Sequence, residues 1–102
     1  MTLVTYSDQQ SCYMVDSALS LHNLTAAYQQ GLALIRQGAQ PVFSFSDISD
    51  KAVAPSGAMV LLWQHHSQGS PTCDFKLKYD ERLLKWAQLY GLEDAWQGMW
   101  AD

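Results

Sequence analysis

The sequence predicts one α/β domain, in which short apolar strands and amphipathic helices build a mixed β-sheet of four to five strands. The predicted segments follow one another in the order ββαβαβα, and this alternation is typical of parallel strands joined by right-handed helical crossovers. The 102 residues are 48% hydrophobic and 16% charged. This composition fits an ordered core of modest size and a single domain over residues 1–102.

The chain begins with a predicted β-hairpin. Residues 3–6 and 12–15 are short apolar segments, and the polar segment SDQQS (residues 7–11) supplies the turn between them. The first strand is therefore expected to be an antiparallel edge of an otherwise parallel sheet. Cys12 and Cys73 form no CxxC pair, and both are expected to be buried as small apolar residues in strands.

The first helix is predicted from about Asn23 to about Gln37. Asn23 is a candidate N-cap, and Gly38 is a stop signal. Gly31 inside this helix costs about 1 kcal/mol relative to alanine, which is tolerable if it permits close packing. The apolar face of the helix comprises Leu24, Tyr28, Leu32 and Ile35.

A buried strand, a polar loop and a second helix are predicted next. Residues 42–45 contain the strand formers Val42, Phe43 and Phe45, and the turn-rich segment SDISDK follows. The second helix is predicted from about Pro55 to about Gln68, because proline suits the first helical turn. The side of this helix that faces the sheet is predicted to comprise Ala58, Leu61, Leu62 and His65.

The C-terminal part of the chain predicts a strand at residues 73–77 and a third helix. Asp80 is the candidate cap of this helix, and Gly91 is its C-terminal residue. The predicted apolar stripe of the helix comprises Leu83, Trp86, Ala87 and Tyr90. The tail that follows contains Trp96, Met99 and Trp100, which are expected either to dock on the domain or to meet a partner.

Three segments together carry a resemblance to a known fold, namely FSFSDI (residues 43–48), VAPSGA (residues 53–58) and DERLLKWAQLYGL (residues 80–92). They resemble the STAS domain, the fold of anti-sigma factor antagonists and of the cytoplasmic tails of sulfate transporters. The likeness runs from about Cys12 to Trp96, and it is greatest to the MlaB type, the small STAS subunits of bacterial phospholipid-transport ABC complexes. It implies a non-enzymatic accessory protein that binds and stabilises or activates the ATPase subunit of such a system, which maintains outer-membrane lipid asymmetry.

The chain departs from the family pattern at the position that a partner kinase phosphorylates in regulatory STAS proteins. That position is Pro55, and the aspartate that precedes it in the family is Ala54 here. Proline has no hydroxyl, so Pro55 cannot be phosphorylated, and Ser56 lies one place further on. This departure counts against the alternative function, an anti-sigma factor antagonist that switches partners. A small-molecule sensor, another role found among STAS domains, stays open.

The docking site that the resemblance and the helix pattern imply comprises Lys51, Pro55, Ser56, Gly57, Met59 and Trp63. The small residues Ser56 and Gly57 are expected to expose the backbone to a partner. Met59 and Trp63 are expected on the outer face of the helix, where large apolar side chains are typical of a protein interface. The alternative, that Trp63 folds over the helix edge into the core, stays open.

The sequence predicts no enzyme, no metal and no cofactor. Ser56 lacks the first glycine of a GxSxG nucleophile elbow. His65 and His66 are neighbours, about 100° apart on a helix, whereas zinc ligation from one helix uses i,i+4 spacing. Asp47 and Asp50 have no partner at a spacing that suits acid–base catalysis, and they are expected to shape the loop beside the docking site.

Charge and hydropathy exclude further classes of partner. The net charge is −4 without a cluster of lysine or arginine, so nucleic acid binding has little electrostatic support. No apolar run approaches the roughly 18 residues of a membrane span, and residues 1–4 show no signal-peptide pattern. The expected location is cytoplasmic, and binding to the ATPase partner would hold the protein at the inner face of the inner membrane.

Overall fold

A computed structural model describes residues 2–38, 40–66 and 75–101 of the chain. Within them, strands and helices alternate as the sequence predicts. The elements are β1 (Val4–Ser7), β2 (Cys12–Val15), α1 (Leu24–Arg36), β3 (Val42–Ser44), a 3-10 turn (Asp50–Ala52), α2 (Val53–His66), β4 (Lys76–Lys78), α3 (Glu81–Leu89), α4 (Glu93–Trp96), a second 3-10 turn (Gln97–Met99) and β5 (Trp100–Ala101).

The strands form one mixed sheet in the order β1-β2-β3-β4-β5. β1 is antiparallel to β2, whereas β2, β3, β4 and β5 are parallel to one another. The α/β class and the antiparallel edge strand are therefore confirmed. The tail contributes the fifth strand, because Trp100 and Ala101 pair with Leu77 and Lys78.

The helices that connect the parallel strands cover one face of the sheet, since right-handed crossovers between successive neighbours all pass on the same side. α2 packs against both α1 and α3. The core beneath it is aromatic: the ring of Phe43 stacks on Trp63 at a centroid distance of 4.5 Å and meets the edge of Phe75 at 6.1 Å. Phe43, Phe75 and Trp63 are all fully buried.

Both ends of α3 match the prediction. Asp80 accepts hydrogen bonds from the backbone N–H groups of Arg82 and Leu83 and so caps the helix. Gly91 adopts a φ of +70° just past its end, and Leu92 N–H donates to the carbonyl of Ala87, as in a Schellman ending.

Asn23 does not cap α1 with its side chain, although it stands at the N-cap position. Its Oδ1 accepts from the N–H of Ser20 at 2.7 Å, and its Nδ2 donates to the carbonyl of Ala18 at 2.9 Å. The amide is thus used to fold the loop before α1, because turn formation competes for the same side-chain atoms as capping. Gly38 ends the helix with a φ of +78°, as predicted.

The prediction of which side of α2 faces the sheet is wrong. Ala58 and Leu61 are only partly buried, and Leu62 and His65 are exposed. The buried side comprises Pro55, Ser56, Gly57, Met59, Val60 and Trp63. The helix is apolar on both sides, so its hydrophobic pattern does not determine which side is buried. The contacts of Trp63 with Gly31 and of Trp86 with Gly57, described below, determine it.

Some predicted features lie outside the described residues, namely Cys73, the start of the fourth strand and residues 67–68 at the end of the second helix. Cys12 is buried in β2, as predicted. Within the described ranges, every helix is too short or too polar to cross a membrane.

Candidate docking site at the start of α2

A shallow groove of about 630 Å³ lies where the loop before α1 meets the start of α2. Its walls are mainly apolar. The groove is lined by Leu19, Ser20, Leu21, His22, Ser49, Lys51, Ala52, Ala54, Pro55 and Ala58. Because it is open and apolar, it is the kind of surface into which a partner side chain or helix can insert.

One wall of the groove is the loop from Leu19 to His22, and local hydrogen bonds fix its shape. The side chain of Asn23 ties the loop at Ser20 and Ala18, as described above. Asp16 Oδ1 accepts from the N–H of Ala18 at 2.8 Å. Leu19 is buried, whereas Leu21 stays 75% exposed. A leucine held in this way presents an apolar anchor without a large ordering cost on binding.

The other wall begins in the loop between β3 and α2, which Arg82 holds against α3. The guanidinium donates to the carbonyls of Ile48 at 2.9 Å and Phe45 at 3.1 Å. It also pairs with Asp50 at 3.2 Å and Asp80 at 3.3 Å. The hydrogen bond that Arg82 donates to Asp80 is the main cause that raises the pKa of Arg82. Burial lowers this pKa by less, and the hydrogen bond to Asp50 raises it further, so the group remains charged.

Small residues on the first turns of α2 form the floor of the groove. Ala54 is exposed and Ala58 partly so, and Pro55 lines the groove while exposing little of its own surface. One turn further along the outer side, Leu62 is 47% exposed. A floor of alanines beside leucine anchors lets the backbone of a partner helix approach closely.

The structure brings only part of the predicted docking residues to this groove. Lys51 is exposed on its rim and Pro55 lines its floor. The expected outward position of Met59 and Trp63 is wrong, because both are fully buried. The indole of Trp63 fills the space above Gly31 of α1, where any side chain would overlap it, and its Nε1–H donates to the carbonyl of Tyr28 at 3.1 Å.

Ser56 and Gly57 also face inward, so a partner cannot reach them as predicted. Ser56 is 0% exposed, and its hydroxyl has no hydrogen-bond partner among the described residues. Gly57 lies under the ring of Trp86: a Cβ there would come within 2.6 Å of the ring carbons. The molecule that approaches the backbone of Gly57 is therefore the protein's own α3, and the α2–α3 packing depends on this glycine.

The remaining candidates from the sequence do not form a site. His65 and His66 are exposed, and His66 Nε2 accepts a long hydrogen bond of 3.4 Å from Arg36 Nε. Across residues 2–38, 40–66 and 75–101, no three His, Cys, Asp or Glu side chains lie close enough together to hold a metal ion. Trp96 and Met99 of the tail are buried, so this segment docks on the domain itself.

The sequence did not predict two features of the groove. One is the wall formed by the loop from Leu19 to His22, and the other is the set of hydrogen bonds from Arg82 to the loop between β3 and α2. Leu21 and His22 belong to a loop about thirty residues from α2 in the sequence, and no local pattern links the two. A usable signal was the apolar character of both sides of α2, since four consecutive positions, Val60 to Trp63, are all apolar and point around the whole helix. A helix that is apolar all round has a second face to cover.

Comparisons of the chain with protein-family models, curated proteins and solved structures found no match.

Proposed function

We propose that this protein is a non-enzymatic accessory subunit with a STAS-like domain, which binds the ATPase subunit of an ABC-type phospholipid transport system. The proposal combines the sequence resemblance with the groove at the start of α2. In this account the groove receives the ATPase and the bound subunit stabilises or activates the transport assembly. The chain is then held at the inner face of the inner membrane through its partner, without inserting into the lipid.

The observation that carries the proposal is the pre-formed apolar groove between Leu21 and α2. Its two walls are fixed from within the domain, one by Asn23 and the other by Arg82. A groove whose walls are already ordered loses little conformational entropy when a partner binds. Its size and its floor of small residues suit an apolar helix face better than a polar small molecule.

The position of Pro55 supports constitutive binding over a phosphorylation switch. Pro55 has no hydroxyl, and the hydroxyl of Ser56 is fully buried, so neither offers a kinase an accessible oxygen. An anti-sigma factor antagonist of the switching kind needs such an oxygen at the start of this helix. The accessory-subunit function does not.

Capture from native cells tests the proposed function. The purified protein is used as bait, and the captured proteins are identified by mass spectrometry. We expect the parent protein to capture an ABC-type ATPase subunit. The variant Leu21→Asp should not capture it, because docking would remove water from a carboxylate in the groove wall.

The matched control is Leu89→Asp, since Leu89 on α3 is 76% exposed and lies outside the groove. This variant should capture the ATPase as the parent does. Capture of a sigma-factor-regulating kinase in place of the ATPase would overturn the proposal and support the alternative function.

A further inference from the structure

A second, smaller cavity of about 230 Å³ lies between the end of β4, α3 and the segment from α4 to β5. It shares no residue with the docking groove. The cavity is lined by Tyr79, Leu84, Glu93, Asp94, Gln97 and Trp100. Two aromatic rings, an aliphatic side chain and two carboxylates thus surround one space.

The two aromatic rings form a fixed corner. The ring centroids of Tyr79 and Trp100 are 5.8 Å apart and their planes are inclined by 59°. Trp100 is supported from behind by the fully buried Trp96, at a centroid distance of 6.2 Å. Its backbone is held in β5 by pairing with Leu77 of β4. Because of this support, Trp100 is in place before a ligand arrives.

The two carboxylates give the corner a negative potential that no cation of the described residues neutralises. Neither Glu93 nor Asp94 takes part in an ion pair there, and the side-chain amide of Gln88 donates to Glu93 at 3.3 Å. Two lysines of the flanking elements are engaged elsewhere, and Lys78 of β4 forms no ion pair with Glu93 or Asp94. Lys85 pairs with Glu81 at 3.3 Å, and Lys76 donates to the carbonyl of Gly98 at 2.7 Å.

We propose that this corner binds a quaternary ammonium group of the kind carried by choline. The faces of Tyr79 and Trp100 attract a cation through the ring quadrupole. The methyl groups of a quaternary ammonium find apolar contacts on both rings and on Leu84, while Glu93 and Asp94 add long-range attraction. Two carboxylates without a third ligand do not make a metal site. A primary ammonium keeps a tightly bound hydration shell that an apolar corner cannot replace.

Nuclear magnetic resonance of the whole ¹⁵N-labelled protein tests this proposal. Choline chloride and tetramethylammonium chloride are titrated while the indole N–H of Trp100 and the backbone N–H groups of Tyr79, Asp94 and Gln97 are followed. Saturable shifts at these groups are expected. The uncharged isostere of choline, 3,3-dimethyl-1-butanol, and sodium chloride at the same ionic strength should produce neither saturation nor the same pattern of shifts.

Two variants separate the aromatic and the electrostatic contributions. Trp100→Leu and Asp94→Asn should each weaken choline binding by about fivefold or more. Asp94 is exposed, so Asp94→Asn remains informative if Trp100→Leu impairs folding. The matched controls are Tyr6→Leu and Asp8→Asn, which remove an exposed tyrosine and an exposed carboxylate outside the cavity. Both should bind choline as the parent does.

The same titration distinguishes a free ligand from a lipid headgroup. Binding to phosphatidylcholine vesicles at the same residues, without binding to phosphatidylglycerol vesicles, would place the quaternary ammonium on a lipid, whereas binding of choline alone would place it on a free molecule. Equal shifts with 3,3-dimethyl-1-butanol, no saturable shift with choline, or tighter binding of an arginine peptide than of choline would each overturn the proposal.

Discussion

Arg82 of α3 binds the loop between β3 and α2 through two backbone carbonyls. It reaches from the first turn of α3 to the carbonyls of Phe45 and Ile48 and to the carboxylate of Asp50. The pKa of Arg82 is raised by its carboxylate partners. When folding raises the pKa of a basic group, the resulting stabilisation is fully present at pH values below the pKa of the unfolded state. It is lost only as the pH rises through the pKa of the folded state. For arginine that window lies far above neutral pH, so the guanidinium remains charged at any ordinary pH.

Removing the guanidinium should therefore release the loop. Arg82→Met keeps much of the aliphatic stem but removes the guanidinium hydrogen bonds to two backbone carbonyls, so we expect a loss of about 1–3 kcal/mol in the free energy of unfolding. Amide hydrogen exchange should accelerate at residues 45–50. Arg82→Lys should recover only part of the loss, because an ammonium lacks the planar fork.

Lys85→Met is the matched control on the same helix. Lys85 and Glu81 form an exposed i,i+4 pair, so its loss should change the free energy of unfolding by less than about 0.5 kcal/mol. If chemical denaturation gave Arg82→Met the same small effect as Lys85→Met, Arg82 would not hold the loop.

The second helix shows what its own sequence could and could not predict. Its existence and its start near Pro55 followed from the pattern of residues, and the structure confirms both. Its orientation did not follow, because Met59, Val60, Leu61 and Leu62 place apolar groups on all sides. The orientation is decided by complementary shapes on other elements: Gly31 of α1 receives Trp63, and Trp86 of α3 covers Gly57. Such pairings join residues distant in the sequence, so they were not predictable from periodicity.

Two neighbouring positions on α2 should respond very differently to truncation. Trp63→Ala removes a fully buried indole that stacks on Phe43, and we expect it to cost about 3–5 kcal/mol of unfolding free energy. Leu62→Ala removes a half-exposed side chain and should change stability by no more than about 0.5 kcal/mol. Urea denaturation measures both. A larger loss for Leu62→Ala than for Trp63→Ala would mean that α2 faces the sheet with its other side.

The alternation of strands and helices along the chain was enough to predict a mixed sheet with an antiparallel edge. The tail completes the sheet as β5, and the burial of Trp96 and Met99 explains its apolar composition. The groove was only half predictable. Its floor comes from α2, where the sequence pointed, but its other wall comes from residues 19–22, which reach α2 only through the fold.

The role of the groove as the docking site is tested by the affinity of the ATPase partner for two variants, each of which replaces one alanine by arginine. Ala58 lies on the floor of the groove, and Ala33 is exposed on α1 outside it. We predict that Ala58→Arg weakens binding, measured by isothermal titration calorimetry, by about thirtyfold or more, because the long cation fills the space of the partner. Ala33→Arg should stay within about twofold of the parent. Unchanged affinity for a folded Ala58→Arg protein would contradict the assignment of the groove as the docking site.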